Sequence, residues 1–260
     1  MNIRDTIAYG SRWKSIGLLL AIVAILPFTI SSQYIFTILI LIGIYCIITI
    51  GLSLLIGYAG QISLGHAGFF GMGAYISGVL TVQFAVSAWL AMLVGMMVTF
   101  GVAYLVAIPV LKLKGPFLAL ATMSINIIVY ILLLGLSEYT GGASGLGGIP
   151  NLSVFGLSLS NQVLFYYFVW IVVAGIILFS MNIVQSHIGR LLRSIHDSEI
   201  ATETLGANVS KYKVMIFALS AMFASLAGSL YAHYISFIAP PTFYISFSIL
   251  LLIMVMVGGV

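Results

Sequence analysis

Gln61, Ser63, His66 and Tyr75 sit in the glycine-rich stretch GYAGQISLGHAGFFGMGAYISG, residues 57–78, and they are the side chains best placed to do chemistry. An imidazole, two hydroxyls and an amide can bind a solute or hydrogen-bond one another. They do not make a hydrolytic set. His66 and His233 have no carboxylate within a helical turn, there is no H-E-x-x-H, and Asp197 falls in a polar connection. Cys46 stands alone, so no intrachain disulfide forms. The sequence therefore assigns no catalytic residue and no metal ligand. Two readings of His66 stay open. It is either a packing residue hydrogen-bonded to Ser63 one turn earlier, or one wall, with Gln61 and Ser63, of a polar vestibule, since ionisable groups at membrane depth usually face a cavity. A second polar interruption, Thr122, Ser124 and Asn126, follows Gly115-Pro116. An Asn in an apolar helix needs a polar partner, either another helix or a cavity; we read Asn126 as cavity-facing.

The elements that must position these residues follow from composition. Only 5% of residues are charged and 62% are hydrophobic, so the chain lacks the polar surface of a soluble domain. With roughly 20 residues per span, the apolar runs predict eight transmembrane helices, at about 16–32, 34–56, 63–83, 88–110, 116–136, 162–182, 213–237 and 246–260. The runs are too long and too unalternating for barrel strands, which leaves an all-α polytopic membrane protein forming one transmembrane domain over residues 1–260. A signal peptide is the alternative for the basic N-terminus and first run, but no A-x-A-like site follows and Tyr34 begins another span almost at once, so a retained helix is expected.

Orientation follows from the nine Lys and Arg residues. They form three clusters, Arg4/Arg12/Lys14, Lys112/Lys114 and Arg190/Arg193/Lys211/Lys213. With the N-terminus cytoplasmic, every one of them lies on the cytoplasmic side, and the opposite loops carry only Glu138. The basic balance is thus explained by topology and does not point to nucleic acid.

Seven glycines within residues 57–78 predict a tightly packed and partly unwound segment, with Ala67/Gly71 and Ala74/Gly78 forming flat faces for a neighbouring helix. Ser220, Ala224, Gly228 and Ala232 make a similar stripe in the seventh span. Residues 183–212 hold Arg190, Arg193, Asp197, Glu199, Glu203 and Lys211, with Leu191, Leu192, Ile195, Ala201 and Leu205 at helical spacing. One or two short amphipathic helices are expected there, stopped at Gly206. A loop that only fixes topology needs no such pattern, so the segment reads as a docking surface. The non-cytoplasmic connection, residues 137–161, is rich in glycine and reads as flexible or turn-rich.

GYAGQISLGHAGFFGMGAY closely resembles the signature of LivM-type permease subunits of branched-chain amino acid ABC importers. GRLLRSIHDSEIATETLGANVSKYK, residues 189–213, resembles the cytoplasmic coupling segment of that family, and TGGASGLGGIP, residues 140–150, its outer loop. The resemblance implies a multi-pass protein of a bacterial or archaeal plasma (inner) membrane. It would pair with a second homologous permease, two cytoplasmic ABC ATPases and an external substrate-binding protein, which would contact residues 137–161. Arg190, Arg193, Asp197, Glu199, Glu203 and Gly206 become coupling candidates, although Glu199 stands seven residues before Gly206 where the usual E-A-A-x-x-x-G motif has six. Gln61, Ser63, His66, Tyr75, Thr122, Ser124 and Asn126 become substrate-pathway candidates.

No cofactor is expected in this chain. It has no P-loop, so ATP would be bound by partner subunits. Urea permeases carry a similar glycine-rich segment and give the alternative substrate. A secondary transporter or channel is the remaining class, disfavoured because no span holds Asp, Glu, Lys or Arg at its centre. The last predicted span is short for a hydrocarbon core, and the resemblance implies that helix continues past residue 260.

Overall fold

The protein was analysed as a computed structural model that describes residues 17, 21, 23–27, 32–154, 157–159 and 161–259. Arg4, Arg12, Lys14 and most of the first predicted span lie outside the described residues. Residues 23–27 are helical, and the Tyr166 hydroxyl donates to the Val23 carbonyl at 2.9 Å.

The described chain is a bundle of α-helices: α1 Gln33–Ser53, α2 His66–Val82, α3 Ala88–Val110, α4 Pro116–Gly135, the single turn α5 Ser137–Thr140, α6 Gln162–Gln185, α7 His187–Asp197, α8 Glu199–Thr204, α9 Val209–Ile235 and α10 Ile245–Gly258. Among the described residues five helical stretches are long and apolar enough to cross a membrane: α1 with its continuation to Tyr58, α3, α4, α6 and α9. These match predicted spans within a few residues. α2 is shorter, 17 residues or roughly 25 Å, because the stretch before it is not helical.

α9 is the most buried of the five long helices. Its sequence explains this, since Ala218, Ala221, Ala224, Ala227 and Gly228 let neighbours approach its backbone. α2 crosses it at the centre of the bundle. A Cβ on Gly73 would overlap the Ser225 backbone, one on Gly228 would overlap the Phe70 carbonyl, and Ser229 Oγ donates to the Gly73 carbonyl at 3.0 Å. The α9 stripe read from sequence is therefore a close helix contact. The α2 faces are distributed differently from the expectation: Gly71 abuts Phe243, Gly78 abuts Ile149 and Leu146, and Gly73 takes α9. α2 is buried on nearly every side, and at 100° per residue Gly71, Gly73 and Gly78 point in different directions and meet different neighbours.

The described part of the connection over residues 137–161 is folded rather than loose. Leu146–Gly147 (β1) pairs antiparallel with Phe237–Ile238 (β4), and Ser153–Val154 (β2) pairs with Leu157–Ser158 (β3). Trp89 Nε1 donates to the Ser153 carbonyl at 2.7 Å, and Gln83 Nε2 to the Tyr139 carbonyl at 2.9 Å. Left-handed φ values at Gly141, Gly142, Gly145 and Gly148 make the turns that the glycine content predicts.

Candidate functional site

α1 does not end cleanly. Its last turn, Leu54–Tyr58, is a π-helix, and the chain is then non-helical from Gly60 to Gly65 before α2 begins. The unwinding expected from glycine density is present at that point. Gly60 is required twice over: its φ is +64°, and a Cβ would come within 2.9 Å of the His196 ring. Gly65 lies against α4, where a Cβ would sit 2.8 Å from the Thr122 carbonyl oxygen.

Polar side chains from four elements close on this break. His66 Nδ1 meets Ser63 Oγ at 3.0 Å, and His66 Nε2 meets Ser220 Oγ of α9 at 2.7 Å. The Leu64 amide donates to Thr122 Oγ1 at 3.0 Å, and the Ala67 amide to Ser248 Oγ of α10 at 3.0 Å. α2 has no side-chain cap of its own, so hydroxyls from α4 and α10 supply acceptors around its start. Gln61, Ser63, His66, Thr122 and Asn126 are all buried.

Two members of the group are incompletely paired. Among the described residues, Gln61 Oε1 and both amide atoms of Asn126 are buried with no hydrogen-bond partner. Asn126 lies against Gly68, whose ideal Cβ would sit 3.1 Å from Asn126 Oδ1. Leaving a buried amide unpaired costs about 1–3 kcal/mol. Ser124 is apart from this group. It is on an exposed face of α4 and returns its hydroxyl to the Leu120 carbonyl. Tyr75 is also apart, nine residues up α2, donating to the Ile238 carbonyl at 3.4 Å and packing edge-on against Phe243. The structure thus brings five of the seven pathway candidates together.

A second histidine centre lies at the other end of the α2–α9 crossing. His233 Nε2 meets Ser77 Oγ at 2.7 Å, and His233 Nδ1 meets the Pro150 carbonyl at 2.8 Å. No sequence signal pairs residues 77 and 233. Ser220 was visible only as a member of a packing stripe.

The charged segment lies beneath the break. α7 buries Gly189, Leu192 and Ile195, and it is strongly amphipathic as expected. Ser198 then adopts extended geometry and accepts from the Ala201 amide, which starts α8 in a new register. Thr202 is consequently buried, while Ala201 and Leu205, expected on an apolar face from their spacing, are exposed. Gly206, with φ +85°, ends the helix.

The coupling candidates divide in two. Arg193 donates to the Val184 carbonyl at 3.1 Å and lies over the Tyr58 ring, 5.5 Å from its centre. Glu199 is paired with the buried Lys213 of α9 and lies 3.7 Å from Lys114 of the α3–α4 connection. Arg190 reaches only the Gln185 carbonyl, at 3.4 Å. Asp197 and Glu203 are exposed and form no ion pair among the described residues.

A helical bundle too apolar for water, interrupted between α1 and α2 by an unwound polar segment and carrying a charged amphipathic segment at one end, defines a polytopic membrane protein. The chain belongs to the family described as branched-chain amino acid transport system / permease component, which matches residues 34–260. It is similar to the high-affinity branched-chain amino acid transport system permease proteins LivM of Salmonella typhimurium and Escherichia coli. Each is 31% identical over 239 residues, which is 83% of this chain and 56% of the relative. The chain therefore spans about half the length of these curated relatives. No solved structure matches it.

Proposed function

We propose that this chain is the transmembrane permease subunit of an ABC importer that moves branched-chain amino acids into the cytoplasm of a bacterium or archaeon. Separate ATPase subunits supply the energy. The observation that carries this reading is the break between α1 and α2, held from four sides and containing buried amide groups without partners. Non-helical backbone at membrane depth is tolerated where it is enclosed by protein or lines a cavity. Its carbonyls and amides can meet the ammonium and carboxylate of a zwitterion without charged side chains.

In this reading eight helices span the membrane, the N-terminus is cytoplasmic, and residues 183–212 face the ATPases. The contacts of Lys114 and Lys213 with Glu199, and of Arg193 with Tyr58, support one common side for the connections near residues 57–62, 111–115 and 183–212. Arg193 and Glu199 tie the segment to the bundle, which leaves α8 with exposed Ile200 and Glu203 as the docking edge. A second permease would complete the pathway, and an external binding protein would deliver solute to the folded outer loop, residues 137–161.

The test is uptake of radiolabelled leucine, and separately urea, into vesicles holding this subunit with its partners, with and without ATP. ATP-dependent leucine uptake that needs the external binding protein is expected. Urea uptake would keep the mechanism and change the substrate, and ATP-independent flux through this chain alone would overturn the importer reading.

A further inference from the structure

At the charged end of the bundle two cavities lie side by side and differ in chemistry. One, of about 640 Å³, is an open groove between α7, the turn after α8 and the start of α9, lined by His187, Arg190, Leu191, Lys211 and Tyr212 among others. Its lining includes no carboxylate. Among the described residues neither Arg190 nor Lys211 has an acidic partner, since Glu199 is taken by Lys213 and Lys114. The other cavity, of about 210 Å³, is almost wholly apolar. It is walled by Phe100 of α3, Phe179 and Ile183 of α6, Ile188 of α7, and Tyr212, Met215, Ile216 and Leu219 of α9.

Tyr212 lines both cavities, so the two adjoin across its ring. From Tyr212 the apolar slot follows α9 for seven residues to Leu219, about 10 Å at helical rise, away from the charged end. Phe179 and Met215 on its walls are each 48% exposed, so the slot opens sideways out of the bundle.

We propose that the adjoining groove and slot bind one anionic phospholipid, its phosphate headgroup between Arg190 and Lys211 and one acyl chain along Phe179, Met215 and Leu219. Basic pockets between membrane helices at the headgroup level are suited to anionic lipids. The adjoining slot decides between a lipid and an acidic segment of a soluble partner. Such a segment would satisfy the cations but could not follow α9 into the hydrocarbon region, whereas an acyl chain is already there. The shared joint at Tyr212 places an amphipathic ring between the two environments, where tyrosine is favoured. The proposal rests on the membrane-spanning class of the chain and not on what it transports.

The experiment uses the full chain purified in mild detergent. It is exposed to dioleoylphosphatidylglycerol or dioleoylphosphatidylcholine, and retained lipid is counted by native mass spectrometry. One phosphatidylglycerol should be held in preference to phosphatidylcholine, and glycerol phosphate at millimolar concentration should not displace it. Each lysine or arginine near a charged membrane surface is worth about a fivefold change, so Arg190→Gln with Lys211→Gln should weaken retention roughly 30-fold. Leu219→Trp should lower it with both charges intact. If the double variant fails to fold, a salt titration of the unaltered chain is the substitute: molar NaCl should release phosphatidylglycerol and leave phosphatidylcholine unchanged. Equal retention of the two lipids, or retention indifferent to both charge removal and salt, would overturn the proposal. So would a double variant that keeps its lipid but no longer binds the purified ATPase, which would assign the groove to an acidic segment of that partner.

Discussion

The two ends of the α2–α9 crossing use the same residue types to different effect. At the end beside β1 and β4 His233 of α9 meets Ser77 of α2, and at the end beside the 60–65 break His66 of α2 meets Ser220 of α9. The second ring nitrogen makes the difference. His233 Nδ1 faces the Pro150 carbonyl, which can only accept, so Nδ1 carries the proton and Nε2 accepts from Ser77. His66 has a hydroxyl on each side, Ser63 and Ser220, and each can donate or accept. His233 is locked in one tautomer, while His66 can exchange between two without moving a heavy atom. The surroundings agree with this contrast. The His233 end is stapled by β1 and β4, whereas the His66 end adjoins unwound backbone, the unpaired Oε1 of Gln61 and the unpaired amide of Asn126.

The largest effect should come from breaking both ends together. Gly73→Val drives a branched side chain into the Ser225 backbone, and overpacking there should cost about 3 kcal/mol or more and remove the monodisperse species from size-exclusion chromatography. His233→Ala strands the Pro150 carbonyl and should lower stability by about 2 kcal/mol in a detergent unfolding assay. His66→Ala should cost only about 1 kcal/mol, because Ser63 and Ser220 can turn to backbone groups of their own segments. Equal losses at the two ends would end the distinction. Nitrogen-15 spectra of labelled histidine should show one tautomer for His233 and a mixture for His66, and Ser63→Ala should collapse that mixture at a cost of about 0.6 kcal/mol. The smallest stability change belongs to Asn126→Leu, within about 0.5 kcal/mol of the parent because it removes an unpaired amide, while leucine uptake in the coupled vesicles should fall. Unchanged uptake would remove Asn126 from the pathway.

The long spans were legible in the sequence because each is a continuous apolar run between polar connections, and the boundaries at 88–110 and near 116–135 agree almost to the residue. The break at 60–65 was legible from glycine density and from Ser63 preceding His66. Which neighbours close on the break was not legible. Ser220 and Ser248 lie more than 150 residues from His66 and Ala67, and nothing local distinguishes them from other serines in apolar helices. Ser124 shows the same difficulty in reverse. It shares a polar interruption with Thr122 and Asn126, but two residues along a helix is 200° around it, so it faces outward. Two short helices over this segment were within the sequence reading, but the exposure of Ala201 and Leu205 was not legible, because a single extended residue, Ser198, resets the helical phase.

The π-helical turn at Leu54–Tyr58 bears on how the break could move. A π-turn holds one residue more than an α-turn of the same stretch. Tightening it to α geometry would hand one residue to the 60–65 segment and turn the following chain through about 100°, with α1 above it left in place. The site thus contains a one-residue reserve of slack, a gearing that can swing Gln61 and Ser63 around the axis of α1 without requiring that helix to slide.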